Sequence, residues 1–470
     1  MGLADEQGYV ELLMARPASI WWSGERVEDV TSHPATAPAV AAMREVYRLA
    51  RKGPLAPLLT VGEGDGAYSR QLHVPQSRDD LAKRVEMAEE LARQLGTCNY
   101  RCVACDALTA LSSVTLEMAE DGCGEYCQRL EHFLERARAE DWAISAGLTD
   151  PKGDRRLRPG QQPEQYVRVV QRRPDGIVVR GAKLHQSGAV AAHWHLVLPG
   201  GALRAGEEEF AVAFAVPRGA PGLSYLVQSE VGRPGGGAPF PPYYAPRHTC
   251  WLVFEDVFVP WDEVFLCGEV RWSGPLVSRF ARMHRACCGG ACKVGFADLV
   301  IGAAAALAEL SGVAGSPHVR WQLVEMVTLQ ETWRGCTMAA IYRSQPQPPG
   351  GPWLPDQVLS NVAKLNVASG FWRMLALAGD IAGGSVITAP SWKDLCSEPT
   401  GRWVRQYMGA SGEGRQRLAL LHFLRAWVAG DHMVATWHGA GSPAAGRLSL
   451  ERGVDWEAKK AAVRRLMGCH

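Results

Sequence analysis

The spacing of apolar residues changes twice along the chain, and this change constrains the fold more than any other feature. In residues 1–142 and 271–470, apolar residues recur every three or four positions, as in DDLAKRVEMAEELARQL, which is typical of amphipathic helices. In residues 143–270 the spacing drops to two, as in YVRVV and CWLVFEDVFVP, which is typical of β-strands. The pattern predicts an α+β protein with an N-terminal helical domain (1–142), a central β domain (143–270) and a C-terminal helical domain (271–470).

Charge and hydropathy argue against several classes of partner. The 50 Lys and Arg residues nearly balance the 49 Asp and Glu residues, and no basic stripe stands out, so no nucleic-acid partner is expected. The N-terminus is acidic where a signal peptide needs a basic start, and Asp298 interrupts the most apolar run, VGFADLVIGAAAALAEL. We therefore expect a cytoplasmic protein with no membrane partner.

Cysteine and histidine residues form the most suggestive cluster of the sequence. The chain has 13 cysteines, and an odd number argues against a complete disulfide framework. Cys98 and Cys102 stand four residues apart, so their thiols would share one face of a helix. The segment RMHRACCGGACKVG adds four candidates, His284, Cys287, Cys288 and Cys292. Such a set suits an iron-sulfur cluster or zinc, but cysteines are also often buried simply as small apolar residues, and spacing alone leaves both interpretations open.

Other cysteines and histidines are expected to be structural. Cys105, one turn after Cys102, is predicted to face the core of a helix. His185, His193 and His195 lie among β-strands, where a lone histidine is more often a hydrogen-bonded polar neighbour than a catalyst.

Seven ordered blocks resemble one family over nearly the whole chain. They are TCNYRCVACDALTALSSVT, LTDPKGDRRLRP, VVRGAKLHQSGAVAAH, FEDVFVPWDEVFLCGE, CKVGFADLVIGAAA, DIAGGSVITAPSWKDL and HGAGSPAAGR. Together they resemble the 4-hydroxybutyryl-CoA dehydratases of the 4-hydroxyphenylacetate hydroxylase superfamily. The resemblance implies an acyl-CoA dehydrogenase-like fold, a homotetramer, FAD beside a [4Fe-4S] cluster, and dehydration of 4-hydroxybutyryl-CoA to crotonyl-CoA.

The same resemblance assigns residues to the two cofactors. The cluster ligands would be Cys98, Cys102, His284 and Cys292. FAD would lie against the LTDPK and HQS blocks of the β domain, with its pyrophosphate near a Gly-Gly pair, in this molecule or in a neighbouring subunit. The implied FAD contacts are Leu148, Thr149, Asp150, Lys152, His185, Gln186, Ser187, Gly383 and Gly384.

The fourth cluster ligand departs from the family spacing. The family cysteine follows the histidine by seven residues, whereas Ala291 occupies that place here and Cys292 lies one residue later. At about 100° per residue, a regular helix would turn Cys292 away from His284. A one-residue π-bulge around residues 287–290 would bring it back, and Cys288 is the substitute ligand if no bulge forms.

Three expected acid-base groups are also missing. Thr249, Cys288 and Ala435 stand where the family has a glutamate, a tyrosine and a glutamate. We therefore expect the family dehydration to be weak or absent. The predicted catalytic residues are His284, Cys288 and Lys293, although Lys293 could equally be a surface lysine.

Two other functions remain open. A reduced-flavin monooxygenase would need no cluster, but its substrate-binding Arg, Tyr and His are replaced by Val103, Ala107 and Ala146. The chain could instead be a non-catalytic helical protein with a structural zinc site formed by Cys98, Cys102, His284 and Cys292. In either enzymatic interpretation the partner is a small-molecule substrate such as an acyl thioester.

Overall fold

The N-terminal region is mainly helical. The computed structural model describes residues 2–229, 237–409, 414–430, 432 and 439–468. Helix α4 begins where Ser77 accepts a hydrogen bond from the amide of Asp80, and it ends at Gly96, which adopts φ 63°. The helices are α1 (Glu6–Met14), α2 (Ala37–Arg51), α3 (Ala56–Leu59), α4 (Arg78–Leu95), α5 (Cys102–Glu120) and α6 (Glu125–Ala139).

Four short strands interrupt these helices, which the helical pattern of this region did not predict. They are β1 (Ser19–Trp22), β2 (Glu25–Arg26), β3 (Thr60–Val61) and β4 (Tyr68–Ser69). Strand β1 pairs in parallel with a strand of the central region, in a register that places Ser19 beside Ser224. The run SIWW is too short for its alternation to stand out against the helices on either side.

The central region forms two sheets, as its two-residue spacing predicts. Its strands are β5 (Ile144–Gly147), β6 (Arg168–Arg173), β7 (Gly176–Ser187), β8 (Trp194–Val197), β9 (Val212–Pro217), β10 (Leu223–Val227), β11 (Thr249–Pro260) and β12 (Val264–Cys267). One sheet has the order β2-β1-β10-β11-β7-β6, and the other has the order β12-β9-β8-β5. The sheets face each other through contacts such as the edge-to-face pair Phe214 and Phe254, with centroids 5.8 Å apart.

The C-terminal region is a helical bundle with one small hairpin. Its helices are α7 (Val270–Ala286), α8 (Cys292–Leu310), α9 (Pro317–Tyr342), α10 (Gln357–Ala382), α11 (Ser385–Thr388), α12 (Trp392–Cys396), α13 (Glu398–Tyr407), α14 (Gly414–Val428), α15 (Pro443–Gly453) and α16 (Trp456–Leu466). The hairpin pairs β13 (Gln345–Pro346) with β14 (Trp353–Leu354).

In the part of the chain that the structure describes, two helical stretches are long and apolar enough to cross a membrane by length and composition alone. They are Cys102–Glu120 and Val270–Leu310, and 72% and 67% of their most apolar windows are buried inside the protein. Burial of this extent is what core helices of a large bundle show. These stretches therefore give only weak grounds for a membrane span.

Candidate active site

Cys98 and Cys102 lie at the turn between α4 and α5. The prediction that one helix carries both residues is wrong, because Cys98 precedes the helix and Cys102 is its first residue. Asn99 causes this break: its Oδ1 accepts hydrogen bonds from the amides of Arg101 (3.0 Å) and Cys102 (2.9 Å), which caps α5. The two thiols are nevertheless hydrogen-bonded to each other, so the turn brings them together as the spacing required.

The second group of thiols lies where α7 meets α8. Residues Cys287–Ala291 form a π-helix, which confirms the bulge predicted from the extra residue. Two glycines allow the wider turn to pack against its neighbours. A Cβ at Gly289 would lie 3.2 Å from the Lys364 side chain, and one at Gly290 would clash with the Thr337 hydroxyl. Cys288 and Cys292 are both buried on this segment.

Asp106 on α5 fixes the ring of His284. The Nδ1 atom of His284 lies 2.7 Å from Asp106 Oδ2, and the ring also hydrogen-bonds the Cys288 thiol. Arg84 supports this carboxylate, since its guanidinium lies 3.4 Å from Asp106 Oδ1 and donates to the Cys102 carbonyl at 2.7 Å. A carboxylate behind a histidine is the usual way to orient a metal-ligating imidazole. Asp106 was not predicted, because its role depends on the packing of α5 against α7.

The electrostatics of the thiols follow from these contacts. The hydrogen bond from Cys102 and the charge of Arg247 lower the pKa of Cys98 to about 6, against the effect of burial. Burial opposes ionisation of Cys288 as well, but Lys293, His284 and Arg247 lower its pKa well below the usual value. Cys98 and Cys288 therefore favour the thiolate, the form in which cysteine binds metals, whereas the hydrogen bond to Cys98 and burial raise the pKa of Cys102.

The pKa values of His284 and Cys292, in contrast, are raised. Burial works to lower the pKa of His284, but Cys288 and Asp106 outweigh it and raise that pKa to about 9. Burial raises the pKa of Cys292 to about 12, even though Lys293 partly opposes this. In the metal-free protein, Cys292 is thus a neutral thiol that a bound metal would have to ionise.

Three cationic side chains surround the thiols. Lys293 on α8 is fully buried, so the interpretation as a surface lysine is wrong. The Arg247 guanidinium lies 3.8 Å from Cys288 Sγ, and Lys364 on α10 is buried beside the π-helix. Sequence reasoning missed Arg247 and Lys364. A lysine on the apolar helix pattern NVAKLNVASGF was the available signal for the latter.

A small cavity opens beside Cys98. It is lined by Thr97, Cys98, Arg247, Lys293, Phe296, Trp427 and His432. Aromatic rings form one wall, since the His432 ring packs against Trp427 in a tilted arrangement with centroids 4.6 Å apart. The cavity joins the first group of thiols to Lys293, and so places the predicted cluster residues and a cation around one space.

The donor set fits a [4Fe-4S] cluster. Within the described ranges, no three His, Cys, Asp or Glu side chains lie close enough to share one metal ion. A cluster takes its ligands on separate irons, so it needs donors around a volume, whereas zinc needs them about one point. Buried thiols, an imidazole oriented by a carboxylate and surrounding cations meet the requirements of a cluster.

The two predicted FAD blocks are adjacent in the β domain. The amide of Leu184 donates to the Thr149 carbonyl at 2.7 Å, so the LTDPK loop runs beside the end of β7. The Asp150 carboxylate is occupied in a buried pair with Lys183 at 2.6 Å, which leaves the backbone of this loop for a ligand. Lys152 and His185 both have positive φ, 67° and 63°, a strained conformation typical of functional loops.

The other residues predicted to contact FAD are less closely connected to one another. Ser187 is paired with Thr249 across β7 and β11, and the Gln186 side chain donates to the Leu184 carbonyl. Gly383 ends α10 with φ 63°, and both Gly383 and Gly384 are exposed, as a site for a neighbouring subunit's cofactor would require. The Leu148 carbonyl oxygen accepts a hydrogen bond from Lys183, whose Nζ lies 3.2 Å away. Ala435 lies outside the described residues.

Comparisons with known proteins agree on one family. The model for the N-terminal part of 4-hydroxyphenylacetate 3-hydroxylase matches residues 5–266, and the model for its C-terminal part matches residues 273–468. A 4-hydroxybutyryl-CoA dehydratase/vinylacetyl-CoA-Δ-isomerase from Clostridium aminobutyricum is 33% identical over 99% of both chains. The oxygenase component of a 4-hydroxyphenylacetate 3-monooxygenase from Thermus thermophilus is 30% identical over 89% of this chain and 86% of its own.

Solved structures give the same result. An oxygen-tolerant archaeal 4-hydroxybutyryl-CoA dehydratase from N. maritimus superposes with a TM-score of 0.94 at 30% identity, over 100% of this chain and 96% of its own. The oxygenase component of 4-hydroxyphenylacetate 3-monooxygenase complexed with FAD superposes with a TM-score of 0.86 at 26% identity, over 99% and 98%. The α+β, acyl-CoA dehydrogenase-like fold predicted from the sequence is confirmed.

Proposed function

This chain belongs to the 4-hydroxybutyryl-CoA dehydratase family of the 4-hydroxyphenylacetate 3-hydroxylase superfamily, and from this premise we propose that it is an enzyme that uses FAD and a [4Fe-4S] cluster. Its reaction is a dehydration, an isomerisation or a related redox conversion of a small hydroxylated acyl compound, such as a thioester. The observation that carries the proposal is the convergence of the Cys98–Cys102 turn and the π-helix around His284, whose ring Asp106 holds at 2.7 Å.

Residues from two parts of the chain would hold the cluster. Cys98 and Cys102 come from the N-terminal region, and His284 and Cys292 come from the C-terminal region. A bound cluster would therefore fasten α5 to the α7–α8 segment. Histidine binds iron less tightly than thiolate does, which leaves one iron able to meet an oxygen of the substrate.

The FAD site is proposed at the junction of the LTDPK loop and the end of β7. The backbone of Leu148–Lys152 borders this junction, and His185–Ser187 lies on its other side. Solved relatives in the superfamily are complexed with FAD, which supports this cofactor. When bound, FAD would supply one- or two-electron chemistry that no side chain of the protein can provide.

The protein's own groups would position the substrate and move protons. Lys293 is the cation nearest in sequence to the proposed ligand Cys292, and it can stabilise negative charge that develops on a substrate oxygen. Cys288, hydrogen-bonded to His284, stands where the family has a tyrosine, so a thiol replaces a phenol as the proton-transfer group. Apolar walls at Phe296 and Trp427 would exclude water.

Thr249 cannot replace a carboxylate at its position. Its hydroxyl and its amide both donate to the Gln228 side chain, so this side chain is held away from any base role. We therefore propose that turnover of 4-hydroxybutyryl-CoA is slow, by about 10²- to 10⁴-fold for one missing acid-base group. An ordinary rate with this substrate would show that other groups supply the protons.

Anaerobic purification tests the proposed function. We expect a brown protein with iron, acid-labile sulfide and FAD in stoichiometric amounts. Cys98→Ala and Cys102→Ala should lose the broad cluster absorption and activity, while Cys105→Ala should keep both. Cys105 is the matched control because it lies buried on the same helix, with its thiol against the His73 carbonyl at 3.2 Å.

Other outcomes would point to the remaining functions. FAD without iron, together with oxygen-dependent hydroxylation in the presence of a flavin reductase, would indicate the monooxygenase. A colourless protein with stoichiometric zinc would indicate a structural metal site. The cytoplasm is the proposed compartment, because such buried thiols need a reducing environment.

A further inference from the structure

The cavity beside Cys98 contains a buried ammonium group that lacks an acceptor. Lys293 is 0% exposed, and its Nζ has no hydrogen-bond partner among the residues that the structure describes. It lies 5.2 Å from the centroid of the Phe296 ring, which offers only a weak cation-π contact. A buried ammonium group without a hydrogen-bond acceptor is destabilising even when an anion such as the Cys288 thiolate lies near, so its presence indicates that a bound group completes the site.

The surroundings add further positive charge. The Arg247 guanidinium lines the same cavity, and Lys364 is buried against the π-helix beside it. His432 also lines the cavity, and its Nε2 is buried without a described hydrogen-bond partner.

The described negative groups do not balance these cations. The buried carboxylate in the site, Asp106, is already shared by His284 and Arg84. Cys98, Cys102 and Cys292 would be ligands of a bound cluster, and Cys288 would remain as an anion that Lys293, His284 and Arg247 share. One thiolate shared by three cations still leaves the Lys293 Nζ without a hydrogen-bond acceptor among the described residues.

We propose that this cavity binds a carboxylate of the substrate, so that the substrate is an acyl compound with a free acid group at the end that enters the protein. The inference rests on the proposed function, because it takes the thiols and the cavity as the active site. Lys293 and the planar guanidinium of Arg247 provide the two kinds of cation that bind a carboxylate best. Phe296 and Trp427 would pack against the acyl chain behind it.

The shape of the site favours a carboxylate over a phosphate. Phosphate sites usually use the backbone amides of a glycine-rich loop or of a helix N-terminus. Lys293, in contrast, is the second residue of α8, and a continuous π-helix precedes it, so the amides of this turn are already used within the helix. Only side chains are left to bind the anion.

Two thioesters that differ only at the end of the acyl chain provide the test. Glutaryl-CoA ends in a carboxylate and valeryl-CoA ends in a methyl group, so the ratio of their dissociation constants isolates the proposed contact. Calorimetric titration of the anaerobic holoenzyme should show tighter binding of glutaryl-CoA by about tenfold or more. Lys293→Met should bring the ratio close to one, and Lys293→Arg should restore part of it.

A matched control separates this contact from general charge effects. Lys83→Met removes a lysine on the exposed face of α4, where Lys83 pairs with Asp79 at 2.8 Å, and it should leave the ratio unchanged. Equal affinity for the two thioesters, no binding of glutaryl-CoA, or an undiminished ratio in Lys293→Met would each overturn the proposal. Iron, sulfide and FAD contents of the same preparations report on the proposed function separately, because a protein without the cluster can still show the preference.

Discussion

Cys288 and Cys292 lie four residues apart on one helical segment, yet their environments differ. Cys288 faces His284, Lys293 and Arg247, which lower its pKa, whereas burial raises the pKa of Cys292 to about 12. The π-helix spans Cys287–Ala291, where the extra residue was predicted to be absorbed, and on this ground Cys292 stays the proposed fourth ligand. Cys288 is then the proposed group for proton transfer.

Single substitutions distinguish these roles. Cys292→Ala should abolish the cluster absorption and the iron content. Cys288→Ala should retain both but lower turnover, because it removes the group hydrogen-bonded to His284. Iron and sulfide assays with visible spectra measure the first effect, and steady-state kinetics measure the second. If Cys288→Ala loses the iron and Cys292→Ala retains it, the fourth ligand is Cys288.

Two buried histidines should make the protein sensitive to acid. Burial lowers the pKa of His193 and of His195 to about 3. The unfolded chain takes up their protons below about pH 6.5 and the folded protein does not, so stability is lost as the pH falls from that value. At pH 5 each histidine should account for about 2 kcal/mol of lost unfolding free energy.

Denaturant unfolding at pH 7.5 and pH 5 checks this expectation. His195→Gln removes one titrating group from the contact between Ser145 and the Tyr225 hydroxyl, so it should reduce the pH-dependent loss by about 2 kcal/mol. The exposed His318→Gln should behave like the original protein. A pH dependence unchanged in His195→Gln would contradict the prediction.

The residue types in the sequence predicted the chemistry of the side chains more readily than they predicted where those side chains lie. Cys105, His193 and His195 are buried and hydrogen-bonded, which agrees with the structural role expected for them. Lys293 was predicted as a candidate, but its burial could not be known, because it depends on packing of α8 against distant parts of the chain. Arg247 was missed for the same reason: a single arginine in a loop has no periodicity to reveal its burial.

At the scale of elements, the junction of α7 and α8 shows how one extra residue is accommodated. The count from His284 to Cys292 predicted the π-helix, because the helical period fixes where each side chain points. The Cys98–Cys102 pair was less predictable. Its spacing fitted a helix, but Gly96 ends α4 and the Asn99 cap starts α5 only at Cys102.

The crossing of α4 and α8 should depend on a glycine. A Cβ at Gly295 would clash with the Glu89 carbonyl oxygen on α4 and would lie 2.9 Å from the Ala92 Cβ. Gly295→Ala should therefore destabilise the protein by about 1–3 kcal/mol, because the backbones of α4 and α8 must move apart to make room for the methyl group. Since α8 begins at Cys292, iron content should fall as well.

A second glycine on the same helix is the control. Gly302 is exposed, and a Cβ there would meet nothing within 4 Å, so Gly302→Ala should stabilise α8 by up to about 1 kcal/mol. Denaturant midpoints of the two variants give the comparison. Equal midpoints would mean that α4 and α8 can separate without loss.

At the scale of the whole molecule, α9 presents apolar side chains to solvent. Trp321 is 73% exposed and Tyr342 is 71% exposed, with Val324 and Val327 between them on the exposed surface. Exposed apolar residues in such number usually mark an interface. We propose that copies of the chain associate through this helix into a homotetramer, which would also bring the exposed Gly383 turn toward a neighbour.

Light scattering tests the assembly. The original protein should have the mass of a tetramer, and Trp321→Glu with Val324→Asp should shift it to smaller species, because charges would be buried at the contact. Trp456→Glu changes a tryptophan that is 53% exposed on α16 and is the control. A flavin-loaded monomer of the original sequence would remove this proposal.

The pairing of β1 with β10 has a consequence for synthesis. Ser19 and Ser224 are 205 residues apart, so a ribosome adding about 5–20 residues per second finishes the partner strand roughly 10–40 s after β1 appears. During that time the run SIWW can pair only with the short neighbouring strand β2, and the edge that β10 will occupy stays open. The nascent chain is thus most vulnerable to aggregation at its beginning, and a chaperone that holds this segment should raise the yield more than one that acts on the completed chain.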